Sequence, residues 1–264
     1  MKDHTENLET ERLNFHIRYQ NNQTSQAFLL VEGMQFKRNI IRAFYSNIKF
    51  TNCIFIQSSV YAVGNKTDLL HFQNSTFTSI NGVMGKLLDI NRYHLLLLNQ
   101  CRIKNMILSR NTDSLITCHN VSYINIINCA INKIEGSIIL VKHCYAFLGN
   151  NLKMHDFMLQ SGHQENIQSA FIFSDTNSMN LKSSNCSNFW GSVFFFNSSI
   201  KILLTKVKAI NIKGFDYGVL ILNINNIKKN VSLLILHSVF KSCSSLVKGG
   251  VLGITELTRE VVTL

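Results

Sequence analysis

One short pattern recurs along the chain and constrains its fold more than any other feature: apolar–x–apolar–x–Asn–small–x–apolar. The copies are IKFTNCIF, LHFQNSTF, LLLNQCRI, INIINCAI, FLGNNLKM, MNLKSSNC, IKILLTKVKA (offset by two) and LLILHSVF. Aligned, the first apolar column is Ile48, Leu70, Leu96, Ile124, Phe147, Met179, Ile202 and Leu233, and the second is Phe50, Phe72, Leu98, Ile126, Gly149, Leu181, Leu204 and Ile235. A polar column follows: Asn52, Asn74, Gln100, Asn128, Asn151, Ser183, Lys206 and His237. Directly after it stands a column of mostly small residues, Cys53, Ser75, Cys101, Cys129, Leu152, Ser184, Val207 and Ser238. Copies return every roughly 22 to 32 residues, the spacing of solenoid units. Period-two alternation makes each motif a strand with one face buried. The adjacent polar and small columns break that alternation, so the chain turns there, and Asn tolerates the left-handed backbone such a corner needs.

A second strand follows each motif: SSVYAV, GKLLDI, DSLITC, GSIILV, QSAFIF, GSVFFF, YGVLIL and GGVLGI. Its fourth and sixth positions are apolar, as in Leu88 and Ile90, Ile139 and Val141, Phe194 and Phe196, and Leu220 and Leu222. The position between them holds Asp89, Thr117 and Gly253, which are expected to face outward, Asp89 lying level with Ala62 and Thr117 on neighbouring turns. Leu13, Phe15 and Ile17, leading to QAFLLV, extend the series at the N-terminal side. Short strands stacked in register make a β-solenoid of about eight or nine turns, a rod of about 40 Å at the strand spacing of about 4.8 Å. The expectation is an all-β, right-handed parallel β-helix over residues 13–255, with a polar segment at 1–12 and a tail at 256–264.

Composition agrees. Apolar residues make up 46% of the 264, ample for a core, and the chain has no proline, which lacks the ladder donor that paired strands need. Heavy use of Asn, Ile, Lys, Phe and Ser also looks like translation of an AT-rich genome, which lowers Pro independently. The start, MKDHTENLETERLNF, is polar and acidic, without the apolar core of a signal peptide, and no stretch reaches the ~18 apolar residues of a membrane span. The chain as written is therefore expected to be neither exported nor embedded. A place at the cell surface follows if it is a segment of a longer exported product.

Asn-rich corners followed by stacked apolar and small ladders resemble the right-handed β-helix of pectin-lyase-like proteins, more narrowly the large β-helix surface proteins of unicellular eukaryotes. The resemblance covers about residues 13–255 and is a pattern, not a signature motif. It implies an elongated scaffold; some members carry polysaccharide lyase or hydrolase sites and many carry none. The alternative is a leucine-rich repeat, since VSYINIINCAI and YHLLLLNQCRI fit its consensus. Against it, the Asn sits one place early, the second half of each unit is β-branched and aromatic, and unit length varies.

Enzymes on such a scaffold gather carboxylates on adjacent turns to bind calcium or to form an acid/base pair. Only 15 Asp and Glu occur, several of them (Asp3, Glu6, Glu9, Glu11, Glu32) before the clear repeats, and Asp89 has no acidic partner in its column. Asp113, Asp156, Asp175 and Asp216 are assigned to turns. The seven cysteines show no C-x-x-C spacing. Cys118–His119 and His143–Cys144 lie near one another on successive turns, but Cys144 falls level with Val121, as a buried thiol would. Cys101 and Cys129 should stack about 4.8 Å apart, beyond the usual Cβ separation of a disulfide, near 3.8 Å, so free interior thiols are expected. Asn-x-Ser/Thr triplets begin at Asn22, Asn65, Asn74, Asn120, Asn185, Asn197 and Asn230, a number that a chain rich in these residues reaches by chance. No nucleotide-binding loop, nucleophile triad or nucleic-acid module is visible.

These readings lead to a non-enzymatic β-helix scaffold or binding module, a segment of a larger surface protein, with no catalytic residue, metal or cofactor assigned. A carbohydrate-active β-helix and a leucine-rich interaction module are the alternatives. The net charge of +11 points to a polyanion, and Lys201, Lys206, Lys208, Lys228 and Lys229 are the candidate patch. The partners expected are an acidic polysaccharide or another surface protein, and no specific nucleic acid.

Overall fold

The computed structural model describes residues 14–18, 28–79, 83–109, 114–158, 169–198, 201–214, 218–223, 231–246 and 250–255. It is a right-handed parallel β-helix of about nine turns built from three parallel sheets. Among the described residues sheet A has ten strands, from Asn14–Arg18 and Ile40–Phe44 to Leu252–Thr255. Sheet B has nine among the same residues, from Phe28–Glu32 to Ser232–Leu236. Sheet C runs from Gln35–Lys37 to Val239–Ser245, with Val83–Met84 pairing beside Arg102–Leu108. Each turn passes through A, B and C in that order. Among the described residues there is no helix, so the second half of each unit is strand and the leucine-rich alternative is rejected. Leu13, the polar start and the tail lie outside the described residues, whereas Phe15 and Ile17 pair in register with Ile41 and Ala43.

The recurring pattern is the B strand, the B–C corner and the first residues of C. Every member of the polar column from Asn52 to His237 has φ between 47° and 55°. At that left-handed residue the chain turns, so the next, small residue points inward again. Side chains stack along the corner: the Asn74 amide donates to Asn52 Oδ1 (2.7 Å), Asn151 to Asn128 Oδ1 (2.9 Å), and Asn52 to Glu32 Oε1 (3.4 Å).

The small column has its own chemistry. A corner interrupts the ladder, and the buried N–H just inside it needs an acceptor. The hydroxyl one turn further on provides it: Ser75 Oγ accepts from Cys53 N (3.2 Å), Ser184 Oγ from Leu152 N (3.2 Å) and Ser238 Oγ from Val207 N (3.1 Å). Cys129 Sγ accepts from Cys101 N in the same way (3.4 Å). Serine and cysteine recur there because a small side chain must both fit the corner and accept a bond.

Inside, like residues stack on like. Phe36, Phe55 and Phe77 are stacked at 5.1 and 4.7 Å between centroids, and Phe50 and Phe72 at 5.0 Å. Such pairs contribute about 0.5–1.5 kcal/mol each beyond burial.

Two details of the expected register change. Asp89 lies level with Tyr61, not Ala62, and Val60 and Ala62 are the inward residues of that strand. The run at residues 60–63 is apolar at every position, so its alternation fits either face, and a one-residue slip reverses every side chain. Second, the middle positions of later A strands are buried: Thr117, Leu140, Phe195 and Ile221 are at most 6% exposed. Among the described residues of that column Arg42, Tyr61, Asp89 and Ile172 reach solvent.

Candidate functional site

From Arg102–Leu108 onward the C strands lengthen, and each contains a further left-handed residue: Asn105, Lys133, Asp156, Asn188, Asn211 and Ser242, with φ of 52–59°. These residues stack as a column on the outside. The residue after each returns inward, as Met106, Ile134, Phe157, Phe189 and Ile212 do, and the next points out again. That outer column is Ile107, Glu135, Met158, Trp190, Lys213 and Ser244. Between the two columns runs a groove of about 730 Å³ crossing successive turns.

One wall of the groove is a polar ladder. Asn211 Nδ2 donates to Asn188 Oδ1 (3.3 Å), Asn188 Nδ2 donates to Asp156 Oδ1 (3.1 Å), and His155 Nδ1 lies 3.0 Å from Asp156 Oδ2. The Asn188 amide, then His155, hold the Asp156 carboxyl below its ordinary range. The amide dipoles all point toward the N-terminal end and finish on a carboxylate, as they do in the corner ladder ending on Glu32. The other wall is apolar and exposed: Ile107, Met158 and Trp190 are 38%, 57% and 45% accessible. Lys213 Nζ lies 5.7 Å from the Trp190 ring centroid, within cation–π range. Lys133 and Lys213 are matched in number by Glu135 and Asp156, so the groove carries no strong net charge.

A polar hollow of about 280 Å³ lies at the A–B corner, lined by Lys66, Asn120, His143, Tyr145 and Asp175 among others. His143 Nδ1 is 3.5 Å from Asp175 Oδ2, and the exposed rings of Tyr123 and Tyr145 meet at 5.6 Å beside it.

The lysines singled out from the sequence are partly brought together. Lys206 and Lys208 are exposed on either side of a B–C corner. Lys182 pairs with Thr205 next to Lys206, and Lys153 stands two rungs from Lys208 in the same column. Lys201 is at the far end of its strand, about 17 Å from Lys206 at the rise of an extended chain. Lys228 and Lys229 lie outside the described residues. Among the described residues, Lys153, Lys182, Lys206 and Lys208 thus form a basic cluster at this corner.

Asp175 sits at a bend between strands, with φ of 53°, whereas Asp156 occupies the left-handed position inside the strand Lys153–Met158, with φ of 59°; Asp113 and Asp216 lie outside the described residues. Asp89 is paired with Lys86 at 3.2 Å. Cys118 points into the core while His119, next in the strand, points out, so the Cys/His neighbours do not converge. Cys144 is buried behind its corner, and desolvation pushes its thiol up to about 12. Cys101 and Cys129 are free thiols in adjacent turns. Of the Asn-x-Ser/Thr positions, Asn65 is in an exposed loop, where Thr67 Oγ1 donates to its Oδ1 at 2.6 Å. Asn74 and Asn120 are corner residues, and Asn22 and Asn230 lie outside the described residues. Among the described residues no cluster of three or more His, Cys, Asp or Glu could hold a metal ion. The groove had no counterpart in the sequence reading: its left-handed column mixes Asn, Lys, Asp and Ser, and a lone tryptophan has no period.

No family model matches the chain, and no curated protein or solved structure matches it either.

Proposed function

We propose that the chain is a non-enzymatic binding module: a rigid β-helix of the pectin-lyase-like kind that surface proteins of unicellular eukaryotes carry, holding a polysaccharide along the groove of sheet C. The observation that carries this reading is the pairing of the two walls. Trp190 and Met158 offer an apolar platform for the C–H face of a sugar ring, and the Asn211–Asn188–Asp156 ladder offers amide donors and carboxylate acceptors for its hydroxyls. Both walls run across several successive turns, so the groove favours a chain-like ligand over a single small molecule.

Affinity electrophoresis through gels containing neutral and acidic polysaccharides tests it. Retardation by at least one polymer is expected, with Trp190→Ala weakening it about tenfold. The lysine corner supports a second reading, in which the polymer is acidic. Then Lys206→Gln with Lys208→Gln reduces retardation, and the wild-type retardation falls steeply with added salt. Absence of retardation by every polymer would remove both readings.

A further inference from the structure

The A–B corner turns at left-handed residues as the B–C corner does: Arg92, Asn120, His143 and Asp175 have φ of 53–58°. The B–C column satisfies itself side chain on side chain, as Asn151 does on Asn128. The A–B column does not. His143 faces Asp175, but among the described residues the carboxamides of Asn120 and Asn177 and the Tyr145 hydroxyl have no hydrogen-bond partner. These uncommitted groups converge on the hollow of about 280 Å³. Lys66 joins them from a loop two turns earlier, which is fixed in place: the Lys66 N–H donates to the Arg92 carbonyl (2.6 Å) and the Asn65 N–H to the Asp68 carboxylate (3.0 Å).

The remaining wall is aromatic. Tyr145 is 58% exposed, Tyr123 meets it edge-on at 5.6 Å, and His94 meets Tyr123 edge-on at 5.2 Å. An exposed ring beside amides, an imidazole and a carboxylate suits a sugar, which shows C–H groups on its faces and hydroxyls around its edge. The carboxamides of Asn120 and Asn177 can both donate to and accept from hydroxyls, and Asp175 accepts from them. The hollow has less than half the volume of the sheet C groove, so it suits one ring and not a run of them.

We propose that this hollow is a second carbohydrate site, taking a terminal or branching sugar ring against Tyr145, and that the protein thereby bridges two polysaccharide chains. The hollow and the groove share no lining residue. One lies where sheets A and B meet and the other on the outside of sheet C, so a polymer lying in the groove leaves the hollow open to another. The bridging rests on the groove reading; the sugar site at the A–B corner does not.

The test uses the whole chain. Saturation-transfer NMR with the methyl pyranosides of glucose, galactose, mannose and N-acetylglucosamine is run on the Trp190→Ala protein, in which the groove platform is removed. At least one pyranoside is expected to receive saturation. Adding Tyr145→Ala or Asn177→Ala, both at exposed positions, should weaken its binding about tenfold with the circular dichroism spectrum unchanged. No transfer to any of the four, or transfer that Tyr145→Ala leaves intact, would overturn the site. Bridging is read separately, by light scattering with a polysaccharide that retards the protein. Wild-type particles should grow as polymer is added and shrink again in excess, whereas Tyr145→Ala protein should still be retarded but form no growing particles. Wild-type particles that never grow would overturn the bridging. If no polysaccharide retards the protein, the groove reading fails and bridging with it, while pyranoside transfer lost in Tyr145→Ala still establishes the hollow.

Discussion

The backbone N–H of Leu152 donates to the hydroxyl of Ser184 one turn further along the helix, at 3.2 Å, and that hydroxyl donates in turn to the Lys182 carbonyl at 2.9 Å. The side chain of one turn thus completes the backbone of the turn before it. Ser184→Ala removes the acceptor from a buried N–H and is expected to cost about 1–3 kcal/mol. Ser184→Cys should cost less, because Cys129 already performs the same role for Cys101. Urea unfolding of the two variants checks the order; equal losses would mean that the hydroxyl does not serve as acceptor.

Ile126 and Phe194 are 0% and 1% exposed. Replacing either with Asp places a carboxylate in a stacked apolar column, which costs several kcal/mol against a margin of about 5–15 kcal/mol. Neither variant is expected to fold. Asp89→Ala removes a half-exposed ion pair with Lys86 and should change stability by less than about 1 kcal/mol. Soluble, cooperatively melting Ile126→Asp protein would contradict the column assignment.

Asn188 and His155 stabilise the charged form of Asp156, so its folded pKa lies below its unfolded one. The stabilisation is therefore complete above the unfolded value, near 3.9, and is lost as pH falls through the folded value. Because Asp156 is well exposed, the effect on overall stability is small, and the ionisation itself is the better readout. Asn188→Ala should raise the Asp156 pKa toward the ordinary range, seen in the carboxyl carbon shift by NMR. An unchanged titration would show that the ladder does not reach the carboxylate.

How far the sequence revealed this molecule depends on what repeats. Residues that face inward on every turn repeat by type, so Ile48 through Leu233 and Asn52 through His237 could be aligned without a structure. Register failed by one residue at Val60, because residues 60–63 are apolar at every position and alternation cannot choose between their faces. The outer bend of sheet C escaped notice because an exposed left-handed position accepts Asn, Lys, Asp or Ser about equally. The lysine patch was misjudged in extent for a related reason. Nearness in sequence placed Lys201 with Lys206, whereas stacking places Lys182 and Lys153 there.

Trp190 is the sole tryptophan of the chain and stands in the groove, so its fluorescence reports ligand at that surface directly. Titration with a polysaccharide that retards the protein should shift its emission to the blue and shield it from iodide, with saturation. Asn188→Gly combined with Asn211→Gly, which keeps the left-handed backbone of both positions, should weaken that response about tenfold with the circular dichroism spectrum unchanged. Emission and quenching that stay constant while the polysaccharide binds would contradict the account, because the ligand would then lie elsewhere than in the groove of sheet C.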